Sequence, residues 1–385
     1  MKKPDRTFER YRQSTASLDA LIDATPHPAE STRPAIQARA EYRMGRLRRF
    51  LGSLGNPHLG YPIVHVGGTS GKGSTSTTIA AILRAAGYRT GLHTSPYLQT
   101  PLEKLQIDGQ LIDPDHYSGL VDQVLEAHRH WLASGEESIT YGEAWSALAA
   151  LFFHTSRVEI AVLEVGAGGR FDLTNINETT ISVITSVGID HTNTLGGTIP
   201  EIAWHKAGII KPGRPVVTAV TDPAALHIIR AEAEIQGSSL RIVDPGIDVA
   251  EIRTGHNGTT WTDRRAGIRR RMTMPGSFQA LNGATAVAAI ETLRGLGWAI
   301  PDDAVTQGLA AARIPGRAEL IADTSPVLLD GAHNPQKVAA LVTDVPNLLP
   351  VGGGGRRVAV IGSLEAKQTH EIVSSLLPVM DALVA

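Results

Sequence analysis

The sequence contains no cysteine. That excludes disulfides, thiolate metal centres and cysteine nucleophiles together. It also lacks any apolar run near the ~18 residues that a membrane span requires, and its opening, MKKPDRTFERYRQ, has no apolar stretch of the signal-peptide kind. Charge of one sign is missing as well: 36 Lys and Arg stand against 38 Asp and Glu. A chain so balanced carries no basic footprint for nucleic acid or for an anionic membrane. Internal repeats and long low-complexity tracts are absent; the nearest is Gly352 to Gly355, which reads as a polar turn before a strand. A cytoplasmic protein without nucleic-acid or membrane partners is the expectation.

What is present is an ordinary globular composition, 42% hydrophobic and 19% charged over 385 residues. That length suits two domains better than one core. The runs IVHV (63–66), VEIAVLEV (158–165), TISVITSV (180–187) and RPVVTAV (214–220) read as strands buried on both faces, the mark of a parallel sheet. Helices lie between them, so the fold class is α/β. Residues 240–274 alternate in short charged stretches and suggest a small antiparallel patch at a sheet edge. A helix resumes over 281–296. The segment RIPGR (313–317) offers a hinge before a new β-α-β series, PVLLD and VAVIG. The boundary is placed there, giving units 1–313 and 314–385, the second small for a free-standing α/β domain.

The first chemical signal is VHVGGTSGKGST (64–75): a buried strand, a glycine loop, then a helix with Ile79, Ile82, Leu83 and Ala86 on one stripe and Gly87 as its stop. Gly68, Thr69, Ser70, Gly71, Lys72, Gly73 and Ser74 would cradle phosphate with backbone N–H groups, and Lys72 would add a point charge. The spacing departs from G-x-x-x-x-G-K-[ST], which alters the hydroxyl available to a metal. Glu143 sits at a helix start, where the helix dipole alone would favour it. His191 follows the end of a buried strand, where ligands gather in open α/β sheets. Lys206 reads on its own as an exposed helical lysine. Asp330, His333 and Asn334 follow a strand and could equally be turn formers.

These blocks together resemble the folate branch of the Mur-type ligases, the folylpolyglutamate and dihydrofolate synthases. GTSGKGS is similar to the family's GTNGKGS. HTSPYL (93–98), TYGEAWSALAALFF (140–153), LEVGAGGRFDLTN (163–175), SVGIDHTNTLGGTIPEIAWHKAGIIKPG (186–213), PGRAE (315–319) and LLDGAHNP (328–335) follow in order. The resemblance implies a P-loop ATPase-type domain on a mostly parallel sheet, then a smaller Rossmann-like, glutamate-binding domain that reads as incomplete. It implies Ser95, Glu143 and His191 as Mg2+ ligands and a carbamylated Lys206. It also implies Asn282, Arg317 and Asp330 on ATP, His333 near the incoming glutamate, and Thr140 and Tyr141 on the pterin segment. The expected reaction joins L-glutamate to dihydropteroate or a reduced folate at the cost of ATP, in a protein that acts as a monomer. Ser70, Tyr97, Leu102, Gly142, Leu173 and His205 depart from the family pattern; Tyr97 and Gly142 bear on how the acceptor is held. A second reading, a nucleotide-binding partner without ligase activity, rests on the early ending at MDALVA. An unrelated kinase or GTPase would leave the other blocks unexplained and lacks N-K-x-D.

Overall fold

A computed structural model describes residues 6–23, 32–321, 326–351, 355–362 and 369–384. The first five residues of the opening segment and Gly352 to Gly354 of the expected glycine turn lie outside the described residues. In chain order the elements are α1 (Arg6–Asp23), α2 (Arg33–Ser53), β1 (Ile63–Gly67), α3 (Lys72–Ala85), β2 (Thr90–His93), β3 (Leu105–Ile107), β4 (Gln110–Leu111), α4 (Pro114–Ala133), α5 (Tyr141–Thr155) and β5 (Ile160–Glu164). Then come β6 (Ile181–Ile184), α6 (Thr192–Leu195), α7 (Ile199–Ala207), β7 (Val216–Thr218), α8 (Pro223–Ile235) and β8 (Leu240–Ile242). A meander follows, β9 (Ala250–Gly255), β10 (Gly258–Asp263) and β11 (Ile268–Met272), with helices α9 (Phe278–Gly295) and α10 (Asp302–Ala311) after it. The last elements are β12 (Glu319–Ile321), β13 (Val327–Leu329), α11 (Pro335–Leu348), β14 (Val358–Val360), α12 (Thr369–Leu376) and β15 (Ala382–Val384).

Among the described residues the main sheet has eight strands, ordered β4-β3-β2-β5-β1-β6-β7-β8. β1 runs parallel to β5 on one side, Ile63 opposite Ala161, and to β6 on the other, Val64 opposite Ile181. β3 and β4 extend one edge antiparallel. β1, β5 and β6 are buried along their whole length, as continuous apolar runs in a doubly covered sheet require. Strand alternation sorts their side chains between two layers. Val64 and Val66 share a core with Ile79, Ile82 and Leu83 of α3, Ile290 of α9 and Leu309 of α10. Ile63 joins the other, with Phe50 of α2, Tyr117 of α4 and Leu148 and Phe153 of α5. Each large side chain buried this way contributes about 1.5–3 kcal/mol.

Helix starts are marked by sequence devices. Thr140 caps α5 and Thr198 caps α7 through reciprocal bonds with Glu143 and Glu201 three residues on, and Thr100 with Glu103 does the same for the 3-10 turn Pro101–Lys104. This is the capping box. α10 crosses α3 at backbone contact: a methyl on Gly308 would stand 2.6 Å from Ile82 N, so only glycine fits.

Two expectations change. Leu240–Ile242 is a parallel edge strand of the main sheet, paired with β7, and the antiparallel patch is a separate sheet, β11-β10-β9. PVLLD does not pair with VAVIG; β13 is antiparallel to β12, while β14 is parallel to β15. β14, α12 and β15 form the β-α-β unit of this part. Its core is small, Val338, Ile372 and Leu376, and it leans on the larger unit. Asp344 of α11, 2% exposed, accepts from Ser277 N at 2.6 Å and Ser277 Oγ at 2.9 Å.

Candidate active site

The loop after β1 is stitched to the end of β6. Thr69 Oγ1 donates to the Gly188 carbonyl at 3.1 Å and accepts from Gly188 N at 3.0 Å. The Ser70 carbonyl accepts from Thr185 Oγ1 at 2.6 Å and Ser186 Oγ at 3.0 Å, and Ser70 N donates to Ser186 Oγ at 2.8 Å. Gly71 caps α3 with φ of 83°, a left-handed conformation that glycine adopts freely. A methyl there would stand 2.2 Å from Asn282 Oδ1, so Asn282 of α9 leans directly on the loop. Lys72 Nζ lies over the loop, donating to Gly68 O at 3.0 Å. Gly73 and Ser74 follow in the first turn of α3, whose N–H groups have no partner within the helix. Ser70 Oγ is buried with no hydrogen-bond partner among the described residues. A helix N-terminus, a lysine and an unmatched hydroxyl make an anion cradle.

The carboxylate at this cradle is Glu164, not Glu143. Glu164 ends β5, is 5% exposed, accepts from Ser95 N at 3.0 Å, and lies 3.5 Å from where a methyl on Gly73 would stand. Burial raises its pKa, while Lys72, the Ser95 N–H, Arg317 and Lys337 oppose that rise. Glu143 is fully buried: Arg46 Nε holds its Oε1 at 2.9 Å, and Arg46 Nη2 and Thr140 N both hold Oε2 at 2.7 Å. Its lone pairs are committed to an ion pair and a helix cap, so the expectation of a metal ligand there is corrected. The hydrogen bond to Glu143 raises the arginine's pKa against the opposing effect of burial.

Ser95 reaches the centre through its backbone contact to Glu164. His191 caps α6 with φ of 51° and is exposed. Its neighbour Asp190 turns inward, accepting from Asn334 Nδ2 at 3.2 Å. Lys206, expected on the surface when read alone, is 3% exposed. Its pKa is lowered to about 7, first by burial, then by Lys72 and Lys337, against the pull of Asp190. Lys206 therefore sits in the field of the phosphate loop, far from bulk solvent.

The second unit brings one loop to the same place. Asp330 accepts from Ala318 N at 2.6 Å and Ala332 N at 2.7 Å; burial raises its pKa against those bonds and Arg317. Arg317 packs on Gly331 and donates to Gly316 O at 3.2 Å. His333 Nδ1 lies 2.8 Å from Gly331 O and its Nε2 3.1 Å from Lys337 Nζ. Gln336 packs against Gly188, which joins this loop to the one that holds Thr69. Thr140 and Tyr141 open α5 on the other side of the sheet, within the layer that contains Trp145 and Leu173.

Sequence reasoning missed Glu164, Asp190, Arg46 and Lys337. Glu164 had a readable signal, an acid closing an apolar strand. The others depend on partners distant in the chain. Among the described residues no three His, Asp or Glu side chains gather; the donors near the cradle are a carboxylate, hydroxyls and backbone groups, which suit a hard cation that also takes phosphate oxygens. No helix of the described residues is long and apolar enough to cross a membrane.

Residues 66–290 match the model of the Mur ligase middle domain. The dihydrofolate synthase/folylpolyglutamate synthase of Bacillus subtilis (strain 168) is 36% identical over 346 residues, 88% of this chain and 80% of that protein. Folylpolyglutamate synthase of Mycobacterium tuberculosis complexed with ADP superposes at a TM-score of 0.84 with 27% identity, over 98% of this chain and 82% of that one. An FPGS-AMPPCP-folate complex gives a TM-score of 0.83 with 31% identity, over 97% and 88%. The chain belongs to the Mur ligase family, in the branch of the folylpolyglutamate and dihydrofolate synthases, which are ATP-dependent acid–amino-acid ligases.

Proposed function

We propose that the protein joins L-glutamate to the carboxylate of dihydropteroate or of a reduced folate, consuming ATP and releasing ADP and phosphate. The observation that carries this reading is the convergence of four loops at the carboxyl ends of parallel strands. The phosphate loop follows β1, Ser95 follows β2, Glu164 ends β5 and the Asp190–His191 turn follows β6, with Lys206 beneath them.

A carboxylate is a poor electrophile, so ATP first converts it to an acyl phosphate: the acceptor oxygen takes the γ-phosphoryl group and ADP leaves. Lys72 and the first-turn N–H groups of α3 hold the phosphates and stabilise charge on their oxygens. Asn282 borders the nucleotide side of the loop; Arg317 and Asp330 approach it from the second unit. Glu164, Ser95 and His191 are the residues that would hold Mg2+, which when bound supplies charge neutralisation on the triphosphate. Lys206 would carry the carbamate, since carbon dioxide adds to a neutral amine with loss of a proton, and a pKa near 7 leaves a sizeable neutral share. The glutamate amine then attacks the acyl carbon beside His333, and phosphate departs as the amide forms. Docking of the second unit excludes water that would hydrolyse the acyl phosphate.

Residues 1–313 form the nucleotide- and acceptor-binding part and 314–385 the glutamate-binding part; the enzyme works as a cytoplasmic monomer. Keeping Lys72, Glu164, Lys206 and Asp330 together argues against an inactive partner. The test is phosphate release with ATP, Mg2+, L-glutamate and either dihydropteroate or tetrahydrofolate. Release that ignores glutamate or the acceptor refutes the ligase reading, and the ratio of the two acceptors assigns the step.

A further inference from the structure

Beside the site, on the Thr140–Tyr141 side, lies an ammonium group among rings. Lys104 Nζ stands 4.1 Å from the centroid of Trp145, 5.2 Å from Tyr141 and 5.4 Å from Tyr97. Rings attract a cation through their quadrupoles, yet that does not replace a counter-ion. Among the described residues Lys104 Nζ has neither an ion pair nor a hydrogen bond. The adjacent acid is already committed: Glu103 accepts the N–H groups of Leu98, Gln99 and Thr100 at 2.8, 2.8 and 2.9 Å. Asp19 of α1 favours the charge only from a distance, and burial lowers the lysine's pKa to about 8. A half-buried cation without an anion is costly to keep unless an anion arrives.

The place fits such an arrival. Thr94 N bonds Lys104 O at 3.4 Å, and the next residue, Ser95, is on Glu164. Tyr97 is 43% exposed, leaving one face of the cage open. Trp145 Nε1 is buried beside it without a well-formed hydrogen bond. We infer that Lys104 and the rings of Tyr97, Tyr141 and Trp145 form the receptor for an aromatic carboxylate, with the carboxylate on Lys104 and the flat ring against the tyrosines. This rests on the ligase reading, since it makes the cage the acceptor site, but it is tested by binding alone.

Tryptophan fluorescence of the whole protein is titrated with pteroate and with its carboxamide, which keeps both ring systems and lacks only the carboxylate charge. Pteroate should bind at least ~10-fold tighter, the value of a charge-assisted contact. Lys104→Met should shrink that gap to under ~3-fold and Lys104→Arg should keep most of it, as a retained cation requires. In turnover, Lys104→Met should raise the acceptor KM about tenfold and leave the ATP KM unchanged. Equal affinity of the two probes in the unaltered protein, or a gap that survives Lys104→Met, overturns the assignment. The unaltered protein decides the first comparison even if a variant fails to fold. A pteroate preference without glutamate-dependent phosphate release would sink the ligase reading and leave the cage standing.

Discussion

Glu143→Gln separates a structural acid from a catalytic one. The carboxylate accepts three hydrogen bonds, two of them from Arg46, whose side chain is 7% exposed. A glutamine places an amide donor against one of those N–H groups and leaves the guanidinium with only the surface acid Glu137, 3.2 Å away. Breaking a buried pair from one side costs about 3–5 kcal/mol. With an unfolding entropy of about 2.1 cal/mol/K per residue over a unit of roughly 300 residues, 1 kcal/mol corresponds to about 1.6 °C, so the melting temperature should fall by about 5–8 °C. Activity per folded molecule at 25 °C should stay within about twofold, because Glu143 touches no part of the phosphate loop. Glu164→Gln should do the reverse, lowering turnover by on the order of 100-fold through lost charge complementarity while the melting temperature holds. Differential scanning fluorimetry beside a phosphate-release assay reads both. An unchanged melting temperature with lost turnover in Glu143→Gln would refute the reasoning and return Glu143 to the metal.

Three more outcomes follow from the geometry. Lys72→Ala should remove several kcal/mol of phosphoryl-transfer stabilisation, seen as loss of phosphate release with the fold intact by circular dichroism. Lys206 has a folded pKa near 7 against an ordinary 10.5, so its contribution to stability is fully present above 10.5 and is lost as pH falls through 7. In carbon-dioxide-free buffer, urea unfolding should therefore show stability rising by on the order of a few kcal/mol from pH 7 to 10, and Lys206→Met should flatten that rise. Gly142→Phe should collide with Leu173, whose Cδ1 lies 3.0 Å from where a Cβ would stand. Its acceptor KM should rise, and adding Leu173→Ala should recover most of the loss; a double variant no better than the single one would show that the two positions are independent.

The central strands were legible because doubly buried strands are apolar without interruption, and Ile63, Val64 and Val66 advertise that directly. The phosphate loop was legible for the same reason that it works, since glycine at 71 has few other uses before a helix. Glu143 misled because two similar blocks each offer an acid. Thr140 three residues earlier was the warning, a capping pattern that needs no metal. Arg46, which settles the matter, lies 97 residues away and no local pattern links the two. Lys206 looked solvated because a lysine on a short helix usually is; only the packing of α7 under the loops buries it. PVLLD and VAVIG were right as strands and wrong as partners, since local periodicity carries no information on which edge a strand takes.

Asp190 sits one residue before His191, accepts from Asn334 at the start of α11, and offsets the charge of Lys206. One carboxylate thus ties the turn after β6 to the helix that follows the Asp330–His333 loop. Whatever free energy the tether contributes when one co-substrate is bound must appear, by thermodynamic reciprocity, in the affinity for the other. Together with Gln336 on Gly188 and Asp344 on Ser277, this part-buried contact couples the two affinities and is open to adjustment without touching any atom that reacts.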